Sequence, residues 1–99
     1  MRKVIISKRA STRLNLLFEY LEQNWSTKVK NEFIDKLDKS INLITIHPET
    51  CEESSLRKGL RKCVVTKQTT LFYKFDSKTI KIVTLFDNRM NPDELKKEI

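Results

Sequence analysis

The chain has 99 residues, 38% hydrophobic and 33% charged, with a formal net charge of +7. That length fits one compact domain over residues 1–99, and the long periodic apolar runs exclude a disordered tail. Two cysteines and one histidine exclude a disulfide framework and a clustered metal site.

In chain order, the β-branched run in residues 2–6 predicts a first strand. Ser7 or Ser11 can cap the helix that follows, in which Leu14, Leu17, Phe18, Leu21 and Trp25 recur at i, i+3, i+4 and i+7 to make one buried stripe. Ser26 restarts the chain as a second N-cap. Val29, Phe33, Leu37, Ile41 and Ile44 form the next stripe, and Lys28/Glu32, Glu32/Lys36 and Asp35/Lys39 are i,i+4 pairs on its outer side. His47 and Pro48 end this helix, because proline disfavours helical geometry at the preceding residue. Glu49 to Ser55 reads as a polar loop. Three β-like segments follow near 60–66, 69–76 and 79–86, joined by "TKQT" and by Asp76, Ser77 and Lys78 into an antiparallel meander. Asn91 and Pro92 open a last short helix. The expected class is α+β, ordered β-α-α-β-β-β, with a helical hairpin on one face of a small, mainly antiparallel sheet and a short C-terminal helix.

Strict alternation places Leu71, Tyr73 and Phe75 on one face of the sheet and Phe72 and Lys74 on the other. On the last strand it sets Ile80, Ile82 and Phe86 against Val83 and Leu85. Both faces are then apolar, although a hairpin of helices covers only one. A partner covering the second face and burial of a central strand by loops and the terminal helix are the two readings.

The charge is unevenly placed. Residues 1–13 contribute +5 and residues 55–75 contribute +6, each without an acid, whereas 14–54 sum to −4 and 76–99 balance to zero. A field of this kind favours a polyanion or an acidic protein segment. Arg57, Lys58, Arg61, Lys62, Lys67 and Lys74 form the second block and are the candidate docking residues, with Arg89 beyond the last strand. With Gly59 the only glycine, a phosphate-binding loop is excluded, and no cofactor or metal is expected. Cys63 in a strand reads as a small hydrophobe, His47 as a helix-end residue, and Tyr73 as core. Metal-free RNA cleavage is the enzymatic option. In it Arg61, Lys62 and Arg89 would stabilise the phosphorane, with Tyr73 the nearest candidate for moving a proton.

"LRKCVV", "TLFYKF", "TIKIVTLF" and "DNRMNPDEL" behind a two-helix hairpin resemble the RelE/ParE superfamily of bacterial type II toxins, over essentially the whole chain. The resemblance implies one of two activities, ParE-like inhibition of DNA gyrase or RelE-like cleavage of mRNA on the ribosome. Arg61 and Arg89 match cations of the ribonuclease branch, while Thr70 and Leu95 stand where that branch carries an arginine and a C-terminal aromatic or histidine. "LFDNRMNPDEL" resembles the ParE-like ending, and the gyrase-directed branch is favoured. The resemblance further implies a cytoplasmic protein, neutralised by a cognate acidic antitoxin through which alone it would meet operator DNA, and no membrane partner. "MRKVIISKRA" has too short an apolar core for a signal peptide, which agrees.

Overall fold

A computed structural model describes residues 2–88. Arg89 and the helix expected from Asn91 lie outside the described residues. The elements are β1 (Lys3–Ile6), α1 (Lys8–Asn24), α2 (Thr27–Ile46), β2 (Arg61–Val64), β3 (Thr69–Phe75) and β4 (Thr79–Asp87).

Both helices start on a serine. Ser7, rather than Ser11, caps α1: its Oγ accepts from the Ala10 amide at 3.0 Å and donates to the Val83 carbonyl at 2.6 Å. Ser26 caps α2 by accepting from the Val29 amide at 3.1 Å, so only Trp25 and Ser26 separate the helices. The buried stripe of α1 ends at Leu21. Trp25 is 64% exposed, because the cap residue leaves helical geometry (φ −127°, ψ −96°) and its ring turns off the stripe. The i,i+4 pairs expected along α2 do not close to ion-pair distance among the described residues; Lys30 instead bridges back to Glu22 of α1. Inside the hairpin Phe18 meets Phe33 edge-on with centroids 6.0 Å apart.

The sheet runs β1-β4-β3-β2. The expected antiparallel meander is present, and β1 adds to its far side, parallel to β4. The alternation along β4 is not regular. Phe72 pairs with Thr84 while Tyr73 pairs with Ile82, so Val83 is an extra residue in a β-bulge. Beyond the bulge every side chain changes face. Leu85 therefore joins Ile80 and Ile82 under the helices, and Phe86 joins Val83 on the other side, the reverse of the placement that strict alternation gives.

The main core sets Leu14, Leu17, Leu21, Phe33, Leu37 and Ile44 of the hairpin against Leu71, Tyr73, Ile80, Ile82 and Leu85 of the sheet. A smaller cluster of Leu60 and Phe72, flanked by Val83 and Phe86, lies on the opposite face. The segment expected as a plain loop supports this cluster. Glu53 bridges to Arg61, the Ser54 amide donates to the Leu60 carbonyl at 2.6 Å, and the Lys62 amide donates to the Glu52 carbonyl at 3.0 Å.

Between β3 and β4 the Asp76 carboxylate accepts from the amides of Lys78 and Thr79, both at 2.8 Å, and from the Thr79 hydroxyl at 3.1 Å. These bonds hold its acid form below the ordinary carboxylate range, the Lys78 amide contributing most. A depressed folded-state value stabilises above the unfolded pKa of about 4, and that contribution disappears as pH falls through the folded value. An NMR titration should place the Asp76 midpoint below that of free aspartate, and Asp76→Asn should flatten the acid limb of the stability curve. Phe33→Ala or Leu37→Ala should each cost about 2 to 5 kcal/mol in urea unfolding through the cavity left behind.

Candidate functional site

The β2–β3 ribbon does not present its cations as one surface. Register places Arg61 opposite Tyr73 and Cys63 opposite Leu71, facing the helices, whereas Lys62 opposite Phe72 and Val64 opposite Thr70 face the open side. The expected cluster is split among four places.

Arg61 is a clamp. Its Nη1 donates to the Cys51 carbonyl at 2.7 Å and reaches the Glu49 carbonyl at 3.5 Å, and the guanidinium carbon lies 5.5 Å from the Phe75 ring centre. Arg2 packs on the same ring, also at 5.5 Å, while its Nε donates to the Asp76 carbonyl at 2.6 Å. Two cations on one aromatic ring tie the segment after α2 and the N-terminus to the end of β3.

Arg57 and Lys58 sit on an exposed loop at the start of β2. Gly59 turns this loop with φ +82°, and its amide donates to Glu53 Oε1 at 2.7 Å. Buried Leu60 then anchors the loop on Phe72. Lys67 lies at the other end of β2, in a turn where Thr66 Oγ1 accepts from the amides of Gln68 and Thr69, each at 3.1 Å. Neither Arg57, Lys58 nor Lys67 has an ion-pair partner among the described residues.

The open face of the sheet holds the remaining charge. Lys62, Lys74 and Lys81 stand toward one end of the Leu60, Phe72, Val83 and Phe86 strip, in which Leu60 and Phe72 are buried and Val83 and Phe86 half-buried, and Lys74 stands directly opposite Lys81. Lys62 reaches Glu52 at 3.4 Å, both side chains being solvated; Lys74 and Lys81 have no carboxylate within ion-pair distance among the described residues. Like charges directly opposite in an antiparallel pair destabilise it, and an anion between them relieves the repulsion. Lys81 is absent from the candidates drawn from the sequence, because acids and bases balance over residues 76–99. The Ile80-Lys81-Ile82 alternation is the signal that finds it.

Two further groups lie elsewhere than their charge suggests. Arg13, part of the first basic block, is 8% exposed and donates from Nη1 to the Leu85 carbonyl at 3.3 Å. At the same end of β4, buried Thr69 donates from Oγ1 to Asp87 Oδ2 at 2.9 Å.

Two of the possible proton-moving groups are enclosed, and His47 is exposed at the C-cap of α2. Tyr73 has no exposed surface, and its hydroxyl donates to the Pro48 carbonyl at 2.7 Å. Burial first, then the neighbouring Cys51, pushes its pKa above the ordinary phenol range. Cys63 is pushed up to about 12, mainly by burial and next by the neighbouring Cys51. Tyr73 and Cys63 belong to the core. Among the described residues no group of histidine, cysteine and carboxylate side chains could hold a metal ion.

With this geometry in place, comparison with known proteins is specific. The model of the ParE toxin of the type II toxin-antitoxin system parDE matches residues 4–92. Toxin ParE1 of Caulobacter vibrioides is 26% identical over 92 residues, covering 92% of this chain and 94% of that protein. Among solved structures, the chromosomal ParDE system of P. aeruginosa superposes with a TM-score of 0.73 at 10% identity, over 88% of this chain and 96% of that one. YafQ in the E. coli DinJ-YafQ complex gives 0.60 at 18% identity, over 90% and 96%. The YoeB dimer of Staphylococcus aureus gives 0.61 at 16%, over 86% and 94%. At these identities the structural matches carry the fold alone, two helices packed on a small mixed sheet. The family match extends from β1 past the end of β4, and the chain belongs to the ParE toxin family of type II toxin-antitoxin systems.

Proposed function

We propose that this toxin inhibits DNA gyrase by protein contact, and that a cognate acidic antitoxin neutralises it by covering the open face of the sheet. The observation that carries the docking reading is the opposed pair Lys74 and Lys81 beside the Phe72 strip. An acidic amphipathic segment satisfies both demands at once, placing carboxylates between the lysines and apolar side chains against Val83 and Phe86, the half-buried members of the strip. The ParDE and DinJ-YafQ neighbours are structures of toxin-antitoxin systems, which supports a cognate antitoxin as the partner.

Gyrase is favoured over mRNA by the chemistry of the described face. Its charged groups are lysines, which bind anions, while Tyr73 and Cys63 lie on the other face inside the core. The family model points the same way. Ribosome-dependent mRNA cleavage is the second reading, favoured by the same lysines as ligands for backbone phosphate. It would require a proton-moving group beside these lysines; Tyr73 and Cys63 are buried under the helices, and Arg89 lies outside the described residues.

A supercoiling assay with gyrase from the same host should lose activity at stoichiometric toxin and recover it on addition of the antitoxin. Unaffected supercoiling, together with codon-phased 5′ ends in cellular mRNA after induction, would transfer the assignment to the second reading. Lys74→Glu separates docking from folding. It should raise stability by about 0.2 to 1 kcal/mol by pairing with Lys81, while weakening antitoxin binding roughly tenfold at low salt and less at high salt. Arg61→Ala should do the converse, lowering stability by about 1 to 2 kcal/mol with a smaller effect on affinity.

A further inference from the structure

The two cysteines are far apart in the chain and adjacent in the fold. The Lys62 amide bonds to the Glu52 carbonyl and the Ser54 amide to the Leu60 carbonyl, at 3.0 and 2.6 Å, bracketing the bridge between Glu53 and Arg61. That pattern makes Glu53 and Arg61 an isolated non-hydrogen-bonded antiparallel pair, which brings the segment carrying Cys51 alongside the strand that carries Cys63. A disulfide between them needs Cα atoms about 4.4 to 6.8 Å apart. Both cysteines pack on the main core, Cys51 is the neighbour that, after burial, pushes the Cys63 thiol up, and Arg61 fixes the Cys51 carbonyl at 2.7 Å.

We propose that Cys51 and Cys63, both free thiols in this structure, form a latent disulfide that acts as a redox clamp on the cationic loop between them. The bond would close the segment 51–63, which contains Arg57, Lys58, Arg61 and Lys62, and would bind the strip running from Cys51 to Ser54 covalently to β2. Only a consequence for docking rests on the function proposed above; the bond itself does not.

The oxidant is a small-molecule disulfide such as oxidised glutathione. Cys51, the more exposed thiol, loses a proton and attacks one glutathione sulfur, releasing one reduced glutathione and leaving a mixed disulfide. Cys63 then loses its proton and attacks the Cys51 sulfur, releasing the second. Two thiols of the protein are oxidised and one glutathione disulfide is reduced to two thiols, so protons and electrons balance. The buried Cys63 is largely protonated at neutral pH, so closure is the slow step, and its rate should rise about tenfold per pH unit between pH 7 and 9.

The test uses the purified full chain incubated with oxidised glutathione, quenched by alkylation and read by intact mass and peptide mapping. The expected product is one intramolecular Cys51–Cys63 disulfide. Cys63→Ser should stop at a glutathione adduct on Cys51, and Cys51→Ser should leave Cys63 unmodified. Closing a loop of about this length should lower the unfolding equilibrium constant on the order of a hundredfold, and amide exchange across residues 52–62 should slow. Accumulation of wild-type glutathione adduct without closure, or of disulfide-linked dimers, would overturn the clamp. A disulfide that forms while exchange across 52–62 stays unchanged would overturn its action on the loop.

Discussion

The fold turns on one extra residue in β4. Val83 interrupts the pairing with β3, and this shift lets a strand with apolar residues at both odd and even positions feed two clusters. Ile80, Ile82 and Leu85 go to the helices, Val83 and Phe86 to the open face. The bulge is held from outside the sheet. The Ser7 amide donates to the Ile82 carbonyl at 3.0 Å, and the Ser7 hydroxyl donates to the Val83 carbonyl at 2.6 Å while accepting from the first turn of α1. One side chain thus caps a helix and satisfies the bulge, and Arg13 makes a second tie one turn further along, to the Leu85 carbonyl. A bulge satisfied by helix side chains fixes where α1 crosses β4, and with it the packing of the hairpin.

This explains why some of the architecture was legible in the sequence and some was not. The helical stripes of Leu14, Leu17 and Leu21 and of Phe33, Leu37 and Ile44 repeat over several turns, so their burial follows from period alone. Ser26 is a cap that its own neighbours reveal. A bulge has no such signature, because the one residue that shifts alternation looks like any other β-branched residue. Leu85 and Phe86 were therefore assigned to the wrong faces, although the existence and direction of β4 were right. Trp25 failed for a related reason: periodicity carries no information on where the last helical turn unwinds.

The candidate site was legible as charge and not as geometry. Residues 55–75 carry cations without acids, but side chains at successive positions of a strand cannot share a face. Arg61 turns under the sheet to hold the Cys51 carbonyl and the Phe75 ring, while Lys62 turns to the open side. Local charge density thus overstated Arg61 and missed Lys81, which comes from a segment of zero net charge and meets Lys74 only through strand pairing. A guanidinium suits the enclosed position because it can bond carbonyls and stack on a ring together, whereas an ammonium suits a face where the charge must stay solvated until a partner arrives.

The open face and the core therefore share a determinant. Were Val83 paired regularly instead of bulged, Phe86 would point at the helices and Leu85 at the open side, so the hairpin would meet a bulkier surface and the open strip would lose an aromatic. Lys81 precedes the bulge and keeps its place opposite Lys74 in either case. In the docking proposed above the lysines meet the anionic partner, and the bulge decides which apolar side chains stand beside them. The composition of this face is thus a consequence of how α1 is capped, since the Ser7 hydroxyl that caps the helix also bonds the Val83 carbonyl.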